Sequence, residues 1–494
     1  MAIYTEKYVS ALAIDGFGDG TEENPWSWGD AVSNCRPGMR MNCKNDDIYQ
    51  PLPNEGSSTH HYWVNSASAP TPDLPIAWRG YHETIDDRGI ALVQMGSGKT
   101  LAVRDLAGTN VLQRGSWHAT HFQFQWANIT SAGVVNSQSN ALDTLYKSNQ
   151  PVFNNCKFRN SSTESSAVTY AYAFSGSGVF IRCLIANARE YTTTPHNLLN
   201  NCQNGLFLGC LFRSKGQVMQ QTYRPGCSNI FYRCVFQNIG TNVPDAFANV
   251  CNSLTAYANF ANLPSVNYWN HCVFDGYNVL LVQSGDAERP AYCATLSNCL
   301  LRNCRGVLLE SNSTHAWHYM FMGNKIWNSD GVYNPEGGVE GQLFYLYDDL
   351  ANGLDTTINV WPWAPIEILS SDPLVDPANY DYTLDQDSVG GQECIAKGVP
   401  FQMYSDIPGD AHIFNVDIGA YQAPVEQPDY PDESDVRHGV VYGAHTGTCY
   451  VPLPADVLED VPVDDTVGTL ELTEETEVVE RDLTFEDLTD VIED

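Results

Sequence analysis

Six short phrases along the chain share one order of apolar and polar positions: NCKFRN, RCLIAN, GCLFRS, RCVFQN, HCVFDG and NCLLRN. Their cysteines are Cys156, Cys183, Cys210, Cys234, Cys272 and Cys299, separated by 27, 27, 24, 38 and 27 residues. A seventh phrase, GNKIWN, puts Asn324 at the cysteine position after a step of 25. Two residues later each frame is apolar, from Phe158 and Ile185 through Phe212, Phe236, Phe274 and Leu301 to Ile326. Three residues earlier each is large and apolar, from Phe153 and Phe180 through Phe207, Phe231, Trp269 and Leu296 to Phe321. Four residues later Asn dominates, at Asn160, Asn187, Asn238, Asn303 and Asn328. Ser214 and Gly276 stand there in the other two frames. An upstream phrase, FQWAN, fits with Phe124, Trp126 and Asn128.

Alternation over a few residues predicts short strands. A repeat of 24–27 residues holds about three strands and three turns. One such unit cannot bury its own apolar face, so units must stack. Stacking in register brings equivalent side chains about 4.8 Å apart, the distance between adjacent strands. The expectation is an all-β chain wound as a parallel β-helix. Cysteine suits an inward position beside larger apolar groups, and Asn suits a left-handed bend at a strand end. The cysteines therefore read as a structural ladder of free thiols. Disulfides are the first rival, but MAIYTEKYVS carries no visible export signal to an oxidising compartment. A zinc site is the second, but Cys299/Cys304 and Cys202/Cys210 lack paired-ligand spacing.

Two further stretches carry a resemblance. YVSALAIDGFGDGTEENPWSWGDAVSNCRPGMRMNCKNDDIY, residues 8–49, resembles the opening segment of right-handed parallel β-helix repeat proteins of the pectate-lyase-like superfamily. In that comparison Trp26 to Ser33 is a capping helix and Pro37-Gly38 a turn. SDPLVDPANYDYTLDQDSVGGQECIAKGVPF and DIGAYQ, within 371–422, resemble the closing segment of the same family, with Gln422 where Glu is common. The resemblance spans roughly 7–422 when the rungs are included. It divides the chain into an opening and capping part with the first rungs (1–105), a helix (106–370), a closing segment (371–424) and an acidic, β-rich C-terminal module (425–494). In that last part DVRHGVVYGAHTGTCYVP and DVLEDVPVDDTVGTLELT align with a shift of 21.

Many members of that superfamily bind or cleave polysaccharides, and phage tailspikes, fibres and head decorations use the same architecture. The resemblance implies an exposed structural protein of a phage particle, acting in adhesion or host-surface glycan binding. A polysaccharide depolymerase and a bacterial surface adhesin are the alternatives. It implies virion proteins as partners through either terminal segment, a homo-oligomer such as a trimer, and a virion location after synthesis in the host cytoplasm. The alternative location is the cell surface.

Charge narrows the partners. The formal net charge is -34, which argues against nucleic acid and an anionic membrane surface. No run of 18 apolar residues predicts membrane insertion. The charge is uneven. Residues 426–494 hold 21 acidic and 2 basic residues, whereas 140–330 hold 9 acidic and 13 basic. The body of the helix is thus slightly cationic, and the tail supplies most of the negative charge.

Several motifs are decoys. MGSGKT (95–100) has Val93 where a phosphate loop requires Gly. DGFGDGTEEN (15–24) has Phe17 at a ligand position of a calcium loop. His315 and His318 are three apart in a strand, which does not bring them to one face. No metal or cofactor is expected. Within the rungs few acids share a stacking position, and Asp275 and Glu310 fall in different frames, so sequence does not pair them for glycoside hydrolysis and no catalytic residue is named. Arg182 and Arg233 both precede ladder cysteines, which suggests one shared outer face, either as part of a site or, the favoured reading, as ordinary surface charge. Trp361 and Trp363, in WPWAP, either stack on sugar rings or cap the core.

Overall fold

The computed structural model describes residues 4–50, 60–62, 70–94 except 86, the strands and turns of the coils between 100 and 362, and residues 367–398 and 418–420. It also describes two short strands, Val441–Tyr442 and His445–Thr446. The chain divides into two compact units, one of residues 1–377 with 382–422 and one of residues 378–381 with 423–494. The first unit is a parallel β-helix, and the all-parallel stacking fits the right-handed form. The coils build three sheets, A with 12 described strands and B and C with 10 each. Sheet A runs from Thr5–Val9 to Ile358–Pro362, sheet B from Ala91–Gln94 to Glu367–Ile368, and sheet C from His60–Tyr62 to Phe344–Tyr347. Among the described residues no helix is long and apolar enough to cross a membrane.

The repeat sets the register. In sheet B one column runs Phe158, Ile185, Phe212, Phe236, Phe274, Leu301 and Ile326. In sheet A another runs Phe153, Phe180, Phe207, Phe231, Trp269, Leu296 and Phe321. Equivalent rings stack face to face. Phe180 and Phe207 lie 4.7 Å apart at 8°, and Phe212 and Phe236 lie 4.7 Å apart at 4°. The side chains of both columns that are described from Phe153 to Ile326 are buried. Burying each such side chain is worth about 1.5–3 kcal/mol.

The upstream frame shifts by two residues. Phe124, placed by the sequence pattern at the cysteine position, pairs with Phe158, so Phe122 holds the cysteine position instead. Asn128 begins a strand of sheet C. A two-residue slip preserves the alternation of faces, so the pattern alone cannot separate the two frames.

Between the columns stand the thiols. Cys156, Cys183, Cys210, Cys234, Cys272 and Cys299 are free and buried. Each Sγ donates to a carbonyl of the preceding coil, for example Cys183 to Phe153 O at 3.4 Å and Cys234 to Phe207 O at 3.5 Å. Cysteine fits because it is small, apolar and still supplies one weak donor. Asn324 takes over at the last rung, accepting from Cys299 N at 2.9 Å and donating to Leu296 O at 3.0 Å. Burial pushes the thiols of Cys183 and Cys272 well above their ordinary range.

Helix α1, Trp28–Asn34, starts two residues later than the sequence reading because the Ser27 hydroxyl caps it, accepting from Asp30 N. Trp28 packs on Tyr49 and Trp78 at 5.5 and 5.2 Å. At the other end, the described part of the closing segment runs back along the outer face of sheet B. Arg302 joins Asp275 of sheet B to Asp372 at 2.9 and 2.8 Å. The Tyr382 hydroxyl donates to Asp275 at 3.3 Å, and Gly419 N donates to Asn298 O at 2.9 Å. This cover buries the outward-facing Val273 and Leu300.

The native chain is expected to leave the six ladder thiols unlabelled by a maleimide, and the denatured, unreduced chain to label them. Protection that persists in denaturant would mean disulfides and would contradict the ladder.

Candidate functional site

From His121 to Gly323 the described coils turn from sheet A into sheet B at one left-handed residue just before the cysteine position. From His121 the column continues as Asn155, Arg182, Gly209, Arg233, His271, Asn298 and Gly323, all left-handed with φ between 50 and 61°. Their N–H groups donate to the coil that follows, as from Arg182 N to Leu208 O at 2.8 Å and from Arg233 N to Asn270 O at 3.0 Å. Gly, Asn and His tolerate this conformation better than most residues. Arg has no such aptitude, so Arg182 and Arg233 hold strained backbone.

The two arginines sit two rungs apart with Gly209 between them, at about twice the 4.8 Å strand spacing. Both are half-buried, and neither makes an ion pair among the described residues. The Arg233 guanidinium lies over the Tyr232 ring at 5.4 Å. Arg40 pairs with Glu6, and Arg302 with Asp275 and Asp372.

His271 follows in the column. It is only 4% exposed, and its ring meets Tyr232 edge-on at 5.6 Å. Asn298 Nδ2 lies 3.5 Å from its Nε2. An amide nitrogen only donates, so the neutral ring carries its proton on Nδ1. Among the described residues that atom is buried without a hydrogen-bond partner, as is Asn270 Oδ1 beside it in the chain. Burial, and the charge of Arg233, lower His271 to about 4.

The outer face of sheet A flanks this ridge. Ile230 and Tyr268 pair in register and are 42% and 41% exposed. Their register column continues through Thr295 and Met320 to Trp361. The backbone thus places Trp361 in line with the exposed Tyr268, while Trp363 lies outside the described residues, as does His315. Asp275 faces out of sheet B, where Arg302, Asn303 and Tyr382 already hold it. Val93 is a buried sheet B residue, and the phosphate-loop decoy that follows joins two strands, Ala91–Gln94 and Thr100–Ala102, with residues 95–99 outside the described set. Among the described residues no group of three or more metal-ligating side chains forms.

Sequence reasoning noticed Arg182 and Arg233 but not the column they belong to. Its signal was present: the residue before each cysteine is Asn, Gly or His wherever it is not Arg.

The folded state holds His271 below its unfolded value, so its contribution is complete above about pH 6.5 and is lost as the pH falls toward 4. By linkage that loss is roughly 3 kcal/mol. His271→Asn keeps a residue suited to left-handed backbone. It is expected to flatten the fall in melting temperature between neutral and acid pH, read by scanning calorimetry. An unchanged pH profile would contradict the assignment.

No family model matches the chain, and no curated protein matches it. Solved structures do. Pectate lyase Pel9A aligns over 85% of this chain and 97% of its own, at 12% identity and a TM-score of 0.43. A mannuronic acid specific family 6 polysaccharide lyase from human gut microbiota aligns over 67% and 69%, at 12% identity and a TM-score of 0.30. The GH136 lacto-N-biosidase from Eubacterium ramulus aligns over 66% and 56%, at 11% identity and a TM-score of 0.24.

Proposed function

We propose that the protein is a rigid adhesive rod of a phage particle that holds an acidic host-surface glycan along the ridge between sheets A and B. The carrying observation is the alignment along the helix axis of Arg182 and Arg233, which make no ion pair among the described residues. A linear polymer laid along that axis presents a carboxylate or sulfate to each. Charge-assisted hydrogen bonds of this kind are worth about 1.5–3 kcal/mol each. Tyr268 and Ile230 offer exposed apolar surface beside them for sugar faces. The rungs give the rod its stiffness, and the register gives the cations their spacing.

A lytic reading uses the same residues. Arg233 would neutralise a uronate carboxylate, and His271 would take the proton beside it. A base at about 4 is weak at neutral pH, so binding is favoured over cleavage. The aspartate nearest a comparable role, Asp275, is engaged by Arg302.

Arg182→Gly and Arg233→Gly relieve the strained backbone while removing the charge. Each is expected to weaken binding of an oligouronate about tenfold or more by calorimetry, and the double variant to abolish it, with folding intact. No formation of unsaturated product is expected from the wild type. Unchanged affinity in the double variant would refute the ridge, and product formation would replace binding by cleavage. The chain is expected to sediment with particles on a density gradient of source material; recovery with soluble or envelope fractions would refute the virion setting.

A further inference from the structure

The loop between the first strand and helix α1 presents three large apolar side chains to solvent. Leu12 is 65% exposed, Ile14 69% and Phe17 78%. Such a cluster within six residues is unlike scattered surface apolar groups and marks an interaction site. The loop is also fixed. Ser10 Oγ donates to Asp46 at 2.6 Å and accepts from Leu12 N at 3.1 Å. Gly16, at φ 80°, donates its N–H to the Asp30 carboxylate at 2.9 Å. Asn24 Nδ2 donates to Phe17 O at 3.2 Å, and Asp19 accepts from Thr21 N at 2.9 Å. Ser27 Oγ donates to Asp15. The three side chains are therefore displayed from a preorganised frame, which lowers the entropy lost on binding.

The rim is acidic. Between residues 7 and 30 stand Asp15, Asp19, Glu22, Glu23 and Asp30 against Lys7 alone. Lys7 is itself turned onto the Trp26 ring at 4.9 Å. A second copy brings the same five acids against one lysine, so self-association here is repulsive. An anionic lipid surface is repelled by the same field. What complements the patch is an apolar pocket ringed by Lys and Arg.

We propose that this loop is a docking point for a partner protein with a basic-rimmed apolar pocket, Phe17 being the side chain that enters it. It is a surface separate from the glycan ridge and does not depend on it. Aromatic anchors of this kind commonly dominate such interfaces, while the charged rim sets partner choice and association rate.

The test uses the full chain in its source cells with p-benzoyl-phenylalanine in place of Phe17, and the same photo-reactive residue at Leu74, which is 55% exposed, as control. Irradiation is expected to crosslink the Phe17 position to one protein, through a peptide of net positive charge. The yield is expected to fall severalfold at high salt and in a Glu22→Lys/Glu23→Lys chain, and to be lost in a Leu12→Ser/Ile14→Ser chain whose melting temperature is unchanged. Crosslinking to a second copy, to lipid, to many proteins as at the Leu74 control, or to nothing would overturn the proposal.

Discussion

Everything in the helix depends on in-register parallel stacking at the strand spacing. Once one coil lies on another, each side chain meets its equivalent. Where successive rungs carry aromatic residues the rings stack, with centroids 4.7 Å apart and planes within 8° at Phe180–Phe207 and Phe212–Phe236. The same rule fixes the thiols, each donating to a carbonyl of the coil before it. A thiol suits the place because it is small and apolar and still supplies one weak donor to that carbonyl.

Stacking acts on the turns as well. A left-handed turn repeated at every coil turns one backbone constraint into a line on the surface. Most of that line is occupied by residues suited to it. Arg182 and Arg233 are the exceptions, and they are also cations without a carboxylate partner among the described residues. Strain of about 1–3 kcal/mol at each such position persists only where the surrounding fold imposes it. Here the neighbouring coils impose it through the N–H to carbonyl bonds above and below. The fold thus holds two positive charges in place before any ligand arrives, which is how a surface gains affinity without rearranging.

The sequence made the core legible because alternation and a near-constant repeat survive in the residues themselves. Phe158 to Ile326, the cysteines and Asn324 all fall in the frames their spacing implies. It was ambiguous at FQWAN, where a two-residue shift leaves the apolar pattern intact. It placed the closing segment by resemblance but not its course along sheet B, because the Asp275–Arg302–Asp372 link joins residues 70 and 27 apart in different elements. The ridge was half visible: two arginines were noticed, but φ is not written in a residue name. Neither the burial of His271 nor the rigid exposure of Phe17 has a local signature, since both arise from contacts distant in sequence.

Binding along the proposed ridge requires the register to space Arg182 and Arg233 for successive acidic groups of one polymer. The most direct measurement is the affinity of the intact chain for a size-graded series of oligouronates. Weak binding is expected until an oligomer is long enough to reach from Arg182 to Arg233, about two strand spacings, and then a steep rise that levels off. Affinity that is independent of oligomer length would contradict it.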